Sequence, residues 1–320
     1  MVNDNTVYVH RTRHIEDSLD NFELSSITAK YSTPIIAVET AIQGVNNNSQ
    51  QTEAVNSNYI TNKAHSQANG NEYEISTSSE LDIQDIKSYQ AKVGLLGYLS
   101  VCSRPDITFA VCLLSQKASN PNKQDVGRVD RCLLYLKKMK TLCLKFSSTD
   151  SKSSSSTLKV FVDSSFANGP SRRSIHGFVI ILDDNLIHWR TKISPMVCLS
   201  TTEAEFVAVA MTLKEVEWIH KILHELKVEL RFTVIFTDNQ GAIRVFESQT
   251  STARTKHLDL RLQFTKQILQ KKQYILRYVR SDENLADLFT KELARLNFQK
   301  LVSQLMMNFP FSTTKEGVSS

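Results

Sequence analysis

Glycine and proline are scarce, with 9 Gly and 6 Pro in 320 residues, which excludes a collagen-like or Gly/Pro-rich low-complexity chain. No apolar run reaches the roughly 18 residues that a membrane-spanning helix needs, and the polar start of the chain is not typical of a secretory signal. The five cysteines are odd in number and form no Cys-x-x-Cys pair, so neither a disulfide framework nor a zinc site is predicted. These absences predict an intracellular protein, cytoplasmic or nuclear, that is not secreted and has no membrane partner.

What the chain does have is an ordinary globular composition, interrupted by two compositional breaks. It is 41% hydrophobic and 22% charged, which is enough for a sizeable core. Residues 43–80 are rich in Asn, Gln and Ser, with too few apolar residues to offset the entropy of ordering, so we predict a disordered linker. Residues 147–157 predict a second, Ser-rich linker. Between them, residues 81–146 show helical spacing and predict a helical module.

The hydrophobic period changes after the Ser-rich linker. Five β-rich runs are predicted as strands: Leu158–Asp163, His176–Leu182, Leu186–Trp189, Phe232–Thr237 and Tyr274–Val279. Four helices are predicted among or after them: Thr202–Leu226, Gln240–Phe246, Leu258–Lys271, and a last helix that starts over Asn284–Thr290. This order predicts an α/β domain over residues 158–292, in which helices flank one mixed five-stranded sheet. Residues 293–320 would form a C-terminal helix and tail.

Four acids fall at the ends of these elements. Asp163 and Asp238 end two strands, while Glu205 and Asp287 lie in the first turns of two helices. Strand ends and helix starts tend to gather at one edge of an α/β sheet, where ligands bind. A cluster of carboxylates suits hard divalent cations, and two such ions about 3.5–4 Å apart can hydrolyse a phosphodiester.

Each acid also has a structural interpretation. The two aspartates at strand ends could be turn residues, and Asp287 could be an acid favoured by the helix dipole. The long helix begins with two overlapping capping boxes, Ser200-x-x-Glu203 and Thr202-x-x-Glu205, so either glutamate could serve the backbone rather than a ligand.

Several short motifs carry a resemblance to a known family. The motifs are Phe161-Val-Asp-Ser-Ser-Phe-Ala167, Leu199-Ser-Thr-Thr-Glu-Ala-Glu-Phe206, Phe236-Thr-Asp-Asn-Gln240, Arg254-Thr-Lys-His-Leu-Asp259 and Asn284-Leu-Ala-Asp-Leu-Phe-Thr-Lys291. In this order they resemble the ribonuclease H domain of copia-type LTR retrotransposon Pol polyproteins. Val93–Tyr98 and Arg104–Ile107 resemble the segment that joins reverse transcriptase to that domain. Residues 1–42 are similar to the end of reverse transcriptase, so we interpret them as a remnant of its C-terminal region.

The resemblance implies a ribonuclease H-like fold and an enzyme that hydrolyses the RNA strand of RNA–DNA hybrids with two Mg²⁺ or Mn²⁺ ions. It also implies that the catalytic, metal-binding carboxylates are Asp163, Glu205, Asp238 and Asp287. Glu205 is preferred over Glu203 because Glu205 directly precedes Phe206-x-Ala208, a pattern seen after the helix glutamate of this fold. Glu203 remains the alternative ligand.

Recognition of the hybrid is expected to depend on its shape and its 2′-hydroxyls. By the same resemblance, Thr201, Thr202 and Gln240 would contact the substrate, although the two threonines could equally be capping residues. Lys256 and His257 could contact phosphate, since they lie in a segment, 251–300, that has eleven Lys and Arg against five Asp and Glu. Such a basic segment suits a polyanionic partner.

Two departures from the family leave other functions open. Ser165 and Phe166 stand where the family commonly carries Asp and Trp, and the sequence contains no Tyr-x-Asp-Asp polymerase box. We therefore expect no polymerase activity, and we expect a reverse transcriptase polymerase domain as a partner. The alternative is a catalytically inactive, nucleic-acid-binding remnant of a truncated polyprotein. An integrase-like enzyme ranks third, because in that class the glutamate follows the second aspartate.

Overall fold

The computed structural model describes residues 6–29, 31–35, 81–148, 155–168, 172–247, 259–271 and 273–309. The predicted linker 43–80 lies outside these residues, as do most of the Ser-rich linker 147–157 and the end of the C-terminal tail. In the described part, no helix is both long enough and apolar enough to cross a bilayer.

The helices and strands follow one another in a fixed order along the chain. They are β1 (Thr6–Val9), α1 (Thr12–Asn21), α2 (Ile83–Cys102), a 3₁₀ turn (Pro105–Ile107), α3 (Thr108–Ser115), α4 (Lys123–Lys138), β2 (Leu142–Ser147), β3 (Ser156–Ser165), β4 (Ile175–Leu182), β5 (Asn185–Ile193), α5 (Thr201–Glu225), β6 (Leu230–Thr237), α6 (Gln240–Glu247), α7 (Asp259–Leu269), β7 (Tyr274–Tyr278), two 3₁₀ segments (Ser281–Glu283 and Leu285–Phe289), α8 (Arg295–Leu305) and β8 (Met307–Asn308).

Strands β3 to β7 form the predicted mixed sheet, in the order β5-β4-β3-β6-β7. β3, β4 and β5 are antiparallel neighbours, whereas β6 runs parallel to β3 and β7 runs parallel to β6. The predicted turn between β4 and β5 is formed by Asp183 and Asp184, both with positive φ, as a tight hairpin requires. The fold class expected from the sequence is therefore confirmed.

The sheet is covered on both faces, which explains why its strands are so apolar. Alternate side chains of β3 and β4 point to one face, where Val160, Val162 and Ile180 form a core with residues of α5 such as Val209 and Leu213. This face holds the helices α5, α6 and α7 against the sheet.

The opposite face of the sheet is covered by the helical segment that precedes it. Val179, Ile181 and Leu186 share one hydrophobic cluster with Leu99 of α2 and Leu136 of α4. Residues of α8 belong to the same cluster. The helical segment and the sheet therefore share a continuous core.

A second sheet, which was not predicted from the sequence, joins distant parts of the chain. β2 lies between β1 and β8 and is antiparallel to both. β2 occupies residues for which we expected only the end of a helical module and the start of a linker. Its partners β1 and β8 are far away in sequence, so local periodicity carried no signal for the pairing.

The predicted last helix is wrong in its start. Residues 285–289 form a 3₁₀ segment, and a separate α-helix begins only at Arg295. All five residues of the segment are buried, and Asn284 ties it to β3 by donating to the Val162 carbonyl at 3.1 Å. Tertiary packing rather than helical periodicity therefore sets the backbone here.

Candidate active site

The structure brings three of the four expected carboxylates into one cluster. Asp163 lies in β3, Asp238 directly follows β6, and Asp287 lies in the 3₁₀ segment. Each offers an oxygen atom, and these three oxygens lie within 4.8 Å of one another. Because β3 and β6 are parallel neighbours, their carboxyl ends deliver both aspartates to the same edge of the sheet.

Glu205 faces the same cavity from α5. The cavity has a volume of about 440 Å³, and Asp163, Glu205 and Asp238 line it. Glu205 is 5% exposed, and its Oε1 accepts the backbone N–H of Ser164 at 3.2 Å. Its Oε2 is buried and has no hydrogen-bond partner among the described residues. A buried oxygen without a donor is costly, so a ligand at this point would stabilise it.

Glu203 has a different role in the same helix. Its backbone N–H donates to Ser200 Oγ at 3.1 Å, and its Oε2 accepts the backbone N–H of Leu199 at 2.8 Å. Glu203 thus serves the N-terminus of α5, while Glu205 points into the cavity. Two capping boxes were considered from the sequence. Among the described residues, only Ser200-x-x-Glu203 has the hydrogen bond from the backbone N–H of the glutamate to the side chain of the capping residue.

Three residues that we did not predict contact the acidic cluster. The Thr290 hydroxyl donates to Asp163 Oδ2. Lys291 Nζ lies 2.8 Å from Asp287 Oδ1 and 3.3 Å from Asp163 Oδ1. The spacing of four residues between Asp287 and Lys291 was the one sequence signal that could have pointed to this contact. Asp238 accepts a further hydrogen bond, from Ser281 Oγ at 2.7 Å.

Burial and mutual repulsion disfavour negative charge on these carboxylates. Burial, followed by the charges of Asp163 and Asp238, raises the pKa of Glu205 to about 9. Burial and then Asp163 raise the pKa of Asp287 to about 7, against the opposing effect of Lys291. The pKa of Asp163 is also raised, mainly by burial. A cation that binds here would remove this penalty.

The donor set fits a divalent metal ion. It consists of carboxylate oxygens, which are the ligands that Mg²⁺ and Mn²⁺ prefer, and it includes the partnerless Oε2 of Glu205. Asp163, Glu205, Asp238 and Asp287 are the residues that would hold such an ion.

The expected substrate-binding residues lie in different places. Thr201 and Gln240 line the cavity, together with Ser165 and Phe166. Thr202 does not line it; its Oγ1 lies instead beside Gly241, 3.2 Å from the position that a Cβ there would occupy. Lys256 and His257 lie outside the described residues.

One strand away from the cluster, a buried histidine is held neutral. His176 Nδ1 and Ser164 Oγ share a hydrogen bond at 2.9 Å, and the histidine is 5% exposed. Burial, assisted by the positive charge of Arg261, lowers the pKa of His176 to about 4. Ser164 therefore has a neutral partner on one side and, through its backbone N–H, holds Glu205 on the other.

The strand order and the helices on both faces define a ribonuclease H-like domain. The sequence is 34% identical over 212 residues to the Retrovirus-related Pol polyprotein from transposon TNT 1-94 of Nicotiana tabacum, which is 66% of this chain and 16% of that protein. It is 32% identical over 235 residues to the Pol polyprotein from transposon RE1 of Arabidopsis thaliana, which is 72% of this chain and 16% of that protein. The chain belongs to the copia-type LTR retrotransposon Pol polyproteins, and it spans about 16% of the length of these relatives.

Two further comparisons are with protein-family models and with solved structures. No protein-family model matches the chain. A solved structure, LC11-RNase H1 in complex with RNA/DNA hybrid, matches with 13% identity and a TM-score of 0.34 over 42% of this chain and 93% of that one. The strand order, not this superposition, defines the fold.

Proposed function

We propose that this chain hydrolyses the RNA strand of RNA–DNA hybrids with two bound Mg²⁺ or Mn²⁺ ions, as one step of retrotransposon reverse transcription. The observation that carries the proposal is the cluster of Asp163, Asp238 and Asp287 oxygens within 4.8 Å of one another. The buried, partnerless oxygen of Glu205 beside this cluster supports it.

The chain's own residues would bind and orient the reacting groups. The four carboxylates would hold the ions, while the Ser164 N–H fixes Glu205 and the Thr290 hydroxyl fixes Asp163. When bound, divalent cations would supply a water of lowered pKa and stabilise negative charge on the phosphate. Attack of water on the RNA phosphate is expected to leave a 3′-hydroxyl and a 5′-phosphate.

The remaining contacts with the hybrid are part of the same proposal. Thr201 and Gln240 line the cavity; Gln240 would contact the minor groove and Thr201 would be a further polar contact with the substrate. Lys256 and His257 would contact phosphate. For Thr202, only the resemblance to the family supports a contact with the substrate. A reverse transcriptase polymerase domain is the proposed protein partner, because the relatives are Pol polyproteins. The five free cysteines fit the reducing environment of the cytoplasm or nucleus.

The alternative function, an inactive nucleic-acid-binding remnant, is favoured by one specific observation. Ser165 and Phe166, the two departures from the family pattern, both line the cavity. They remove no proposed metal ligand, so we place the alternative second.

A hybrid-cleavage assay on the full chain tests the proposal. Wild type should nick a labelled RNA–DNA hybrid in Mg²⁺ but not in EDTA, and Asp163→Asn should abolish the nicking. Asp184→Asn is the matched control, because Asp184 is an exposed carboxylate in the β4–β5 turn that pairs with Lys159; it should cleave like wild type. Cleavage that survives Asp163→Asn would contradict the proposal. A wild type that binds Mn²⁺ and the hybrid without cutting would favour the inactive alternative.

A further inference from the structure

Lys291 contacts two aspartates of the acidic cluster directly. Its ammonium pairs at once with Asp163 Oδ1 and Asp287 Oδ1, at 3.3 and 2.8 Å. The Asp287 contact is local, at a spacing of four residues, but the Asp163 contact spans 128 positions of the chain. A helical ion pair alone would not reach β3, so the fold brings this lysine to the cluster.

The backbone around Lys291 is fixed. The Lys291 N–H donates to the Asp287 carbonyl at 3.1 Å, and the neighbouring Thr290 hydroxyl occupies Asp163 Oδ2. Asp163 Oδ1 is therefore the oxygen left for the ammonium. The lysine side chain is 33% exposed, and its four-carbon stem is flexible, so the ammonium has a route to solvent while the backbone stays in place.

The two carboxylates that Lys291 contacts, Asp163 and Asp287, are among those that would hold a metal ion. Asp163 is 1% exposed and Asp287 is 8% exposed, so water neutralises little of their mutual repulsion. A monovalent ammonium offsets part of that repulsion, and a divalent ion would offset more. Lys291 lines the same cavity as Asp163, so a divalent ion that coordinates Asp163 and Asp287 would compete with the ammonium for these carboxylates and repel it.

We propose that Lys291 is a built-in counter-cation, which holds the acidic cluster together without metal and is displaced from it when the first divalent ion binds. This inference rests on the proposed function, because it takes the acidic cluster to be a metal site. The ammonium of Lys291 lowers the affinity of the cluster for metal, but it keeps the carboxylates close together until an ion binds.

Metal binding to the full chain, without nucleic acid, tests the inference. Calorimetric titration with Mn²⁺ should give a Kd for Lys291→Met about tenfold lower than for wild type, which corresponds to about 1.4 kcal/mol. In EDTA the same variant should unfold at a lower temperature than wild type. Lys291→Arg keeps the positive charge and should restore the wild-type Kd. A lysine with only a structural role would give the opposite sign, because its loss would loosen the site and weaken metal binding.

Lys159→Met is the matched control. Lys159 lies on the same strand as Asp163 and pairs with Asp184 at 2.7 Å, so its loss removes one positive charge without touching the cluster. It should leave the Mn²⁺ Kd unchanged. If Lys291→Met binds Mn²⁺ no more tightly than Lys159→Met, the proposed counter-cation role of Lys291 is wrong.

A second measurement does not depend on the folding of a variant. In wild type without metal, the Lys291 ammonium should give a ¹⁵N-edited NMR signal protected from exchange with water, and saturating Mg²⁺ should abolish that protection. A signal that Mg²⁺ leaves unchanged would overturn the inference. The two failures are distinguishable: a wild type that cleaves the hybrid but keeps its protected ammonium overturns only the role of Lys291, whereas a wild type that binds no Mn²⁺ overturns the proposed function with it.

Discussion

At the scale of single residues, Glu205 shows what the site costs the protein. Its carboxylate is buried beside two other acids, which is why its pKa is raised to about 9. Its Oε2 gains no hydrogen bond among the described residues. The buried Glu205 carboxylate therefore destabilises the metal-free fold, and a bound cation would stabilise the fold by offsetting this cost.

We expect Glu205→Gln to separate these two effects. The amide cannot carry the charge that the site penalises, so the free energy of unfolding in EDTA should rise by about 2 kcal/mol. The stabilisation of wild type by Mn²⁺ should be absent in the variant, because one metal ligand is lost. Urea denaturation with and without Mn²⁺ measures both quantities.

The control for this variant is Glu225→Gln, at the exposed end of the same helix. It should unfold like wild type in EDTA and keep the full response to Mn²⁺. A Glu205→Gln protein that Mn²⁺ stabilises as much as wild type would show that Glu205 is not a ligand.

His176 predicts a distinct pH dependence. Its pKa in the fold is about 4, below the value of about 6.5 for a free histidine. Between these two values the unfolded chain binds the proton and the folded chain does not, so stability falls as the pH drops from 6.5 towards 4. The loss assigned to this group is up to about 3 kcal/mol.

His176→Asn should remove this part of the acid sensitivity. Asparagine keeps a polar atom near the position of Nδ1, which bonds Ser164, but it cannot become charged. We expect a smaller decrease in the free energy of unfolding between pH 7 and pH 5 than in wild type. His224→Asn, at an exposed histidine of α5, should behave like wild type; equal slopes for all three proteins would contradict the assignment.

The site could be predicted from the sequence only where local pattern places a residue. Asp163 and Asp238 each end an apolar run of residues in the sequence, so their position at a sheet edge could be predicted from the sequence. Hydrophobic periodicity did not distinguish Glu203 from Glu205, because both occupy the first turns of one helix; the preference for Glu205 rested on the family resemblance. Thr290 and Lys291 were missed because their contacts with Asp163 arise from tertiary structure.

At the scale of elements, the 3₁₀ segment Leu285–Phe289 depends on a glycine in β4. A Cβ on Gly177 would lie 2.7 Å from Phe289 Cβ and 2.7 Å from Thr290 Cγ2, closer than packed atoms approach. The missing side chain lets the segment lie directly on the sheet, and this contact positions Asp287 at the cluster.

Gly177→Ala should therefore damage both the fold and the site. The segment must shift to accept the methyl group, which we expect to cost about 1–3 kcal/mol of stability. Because Asp287 and Thr290 move with it, the affinity for Mn²⁺ should fall as well. Chemical denaturation and calorimetry measure the two effects.

Gly94→Ala is the control, since a Cβ at this position in α2 would meet nothing within 4 Å. Alanine is the better helix former, so this variant should be as stable as wild type or more so, with unchanged Mn²⁺ binding. Equal behaviour of the two variants would show that the close approach at Gly177 is unimportant.

The elements that could be predicted are those with a strong period of their own. The 25 residues of α5 and the hairpin of β4 and β5 follow from apolar spacing and a turn with two aspartates. The 3₁₀ segment is buried on all sides and shows no amphipathic pattern, so its sequence was interpreted as the start of a helix. Strand β2 is short and has its partners at the two ends of the described chain.

At the scale of the whole molecule, the helical segment and the sheet share one core. Val179 and Ile181 of β4 lie in the same cluster as Leu99 and Leu136 from the helices before the Ser-rich stretch. A sheet without those helices would expose this apolar face to water, at a cost that grows with the area exposed.

We expect a shortened chain of residues 155–309 to fold poorly. It should bind an apolar dye and unfold without a cooperative transition, as expected when specific packing is lost. A chain of residues 81–309, which keeps α2, α3 and α4, should unfold cooperatively. If the shorter chain unfolds as sharply as the longer one, the sheet is an independent domain.

The three-stranded sheet has a consequence for the order of events on the ribosome. β2 pairs on one side with β1, near the start of the chain, and on the other with β8, at Met307 and Asn308. The second pairing can form only after Met307 and Asn308 have left the exit tunnel. Contacts between such distant residues slow folding, so one edge of β2 stays unpaired in the nascent chain until β8 has been synthesised.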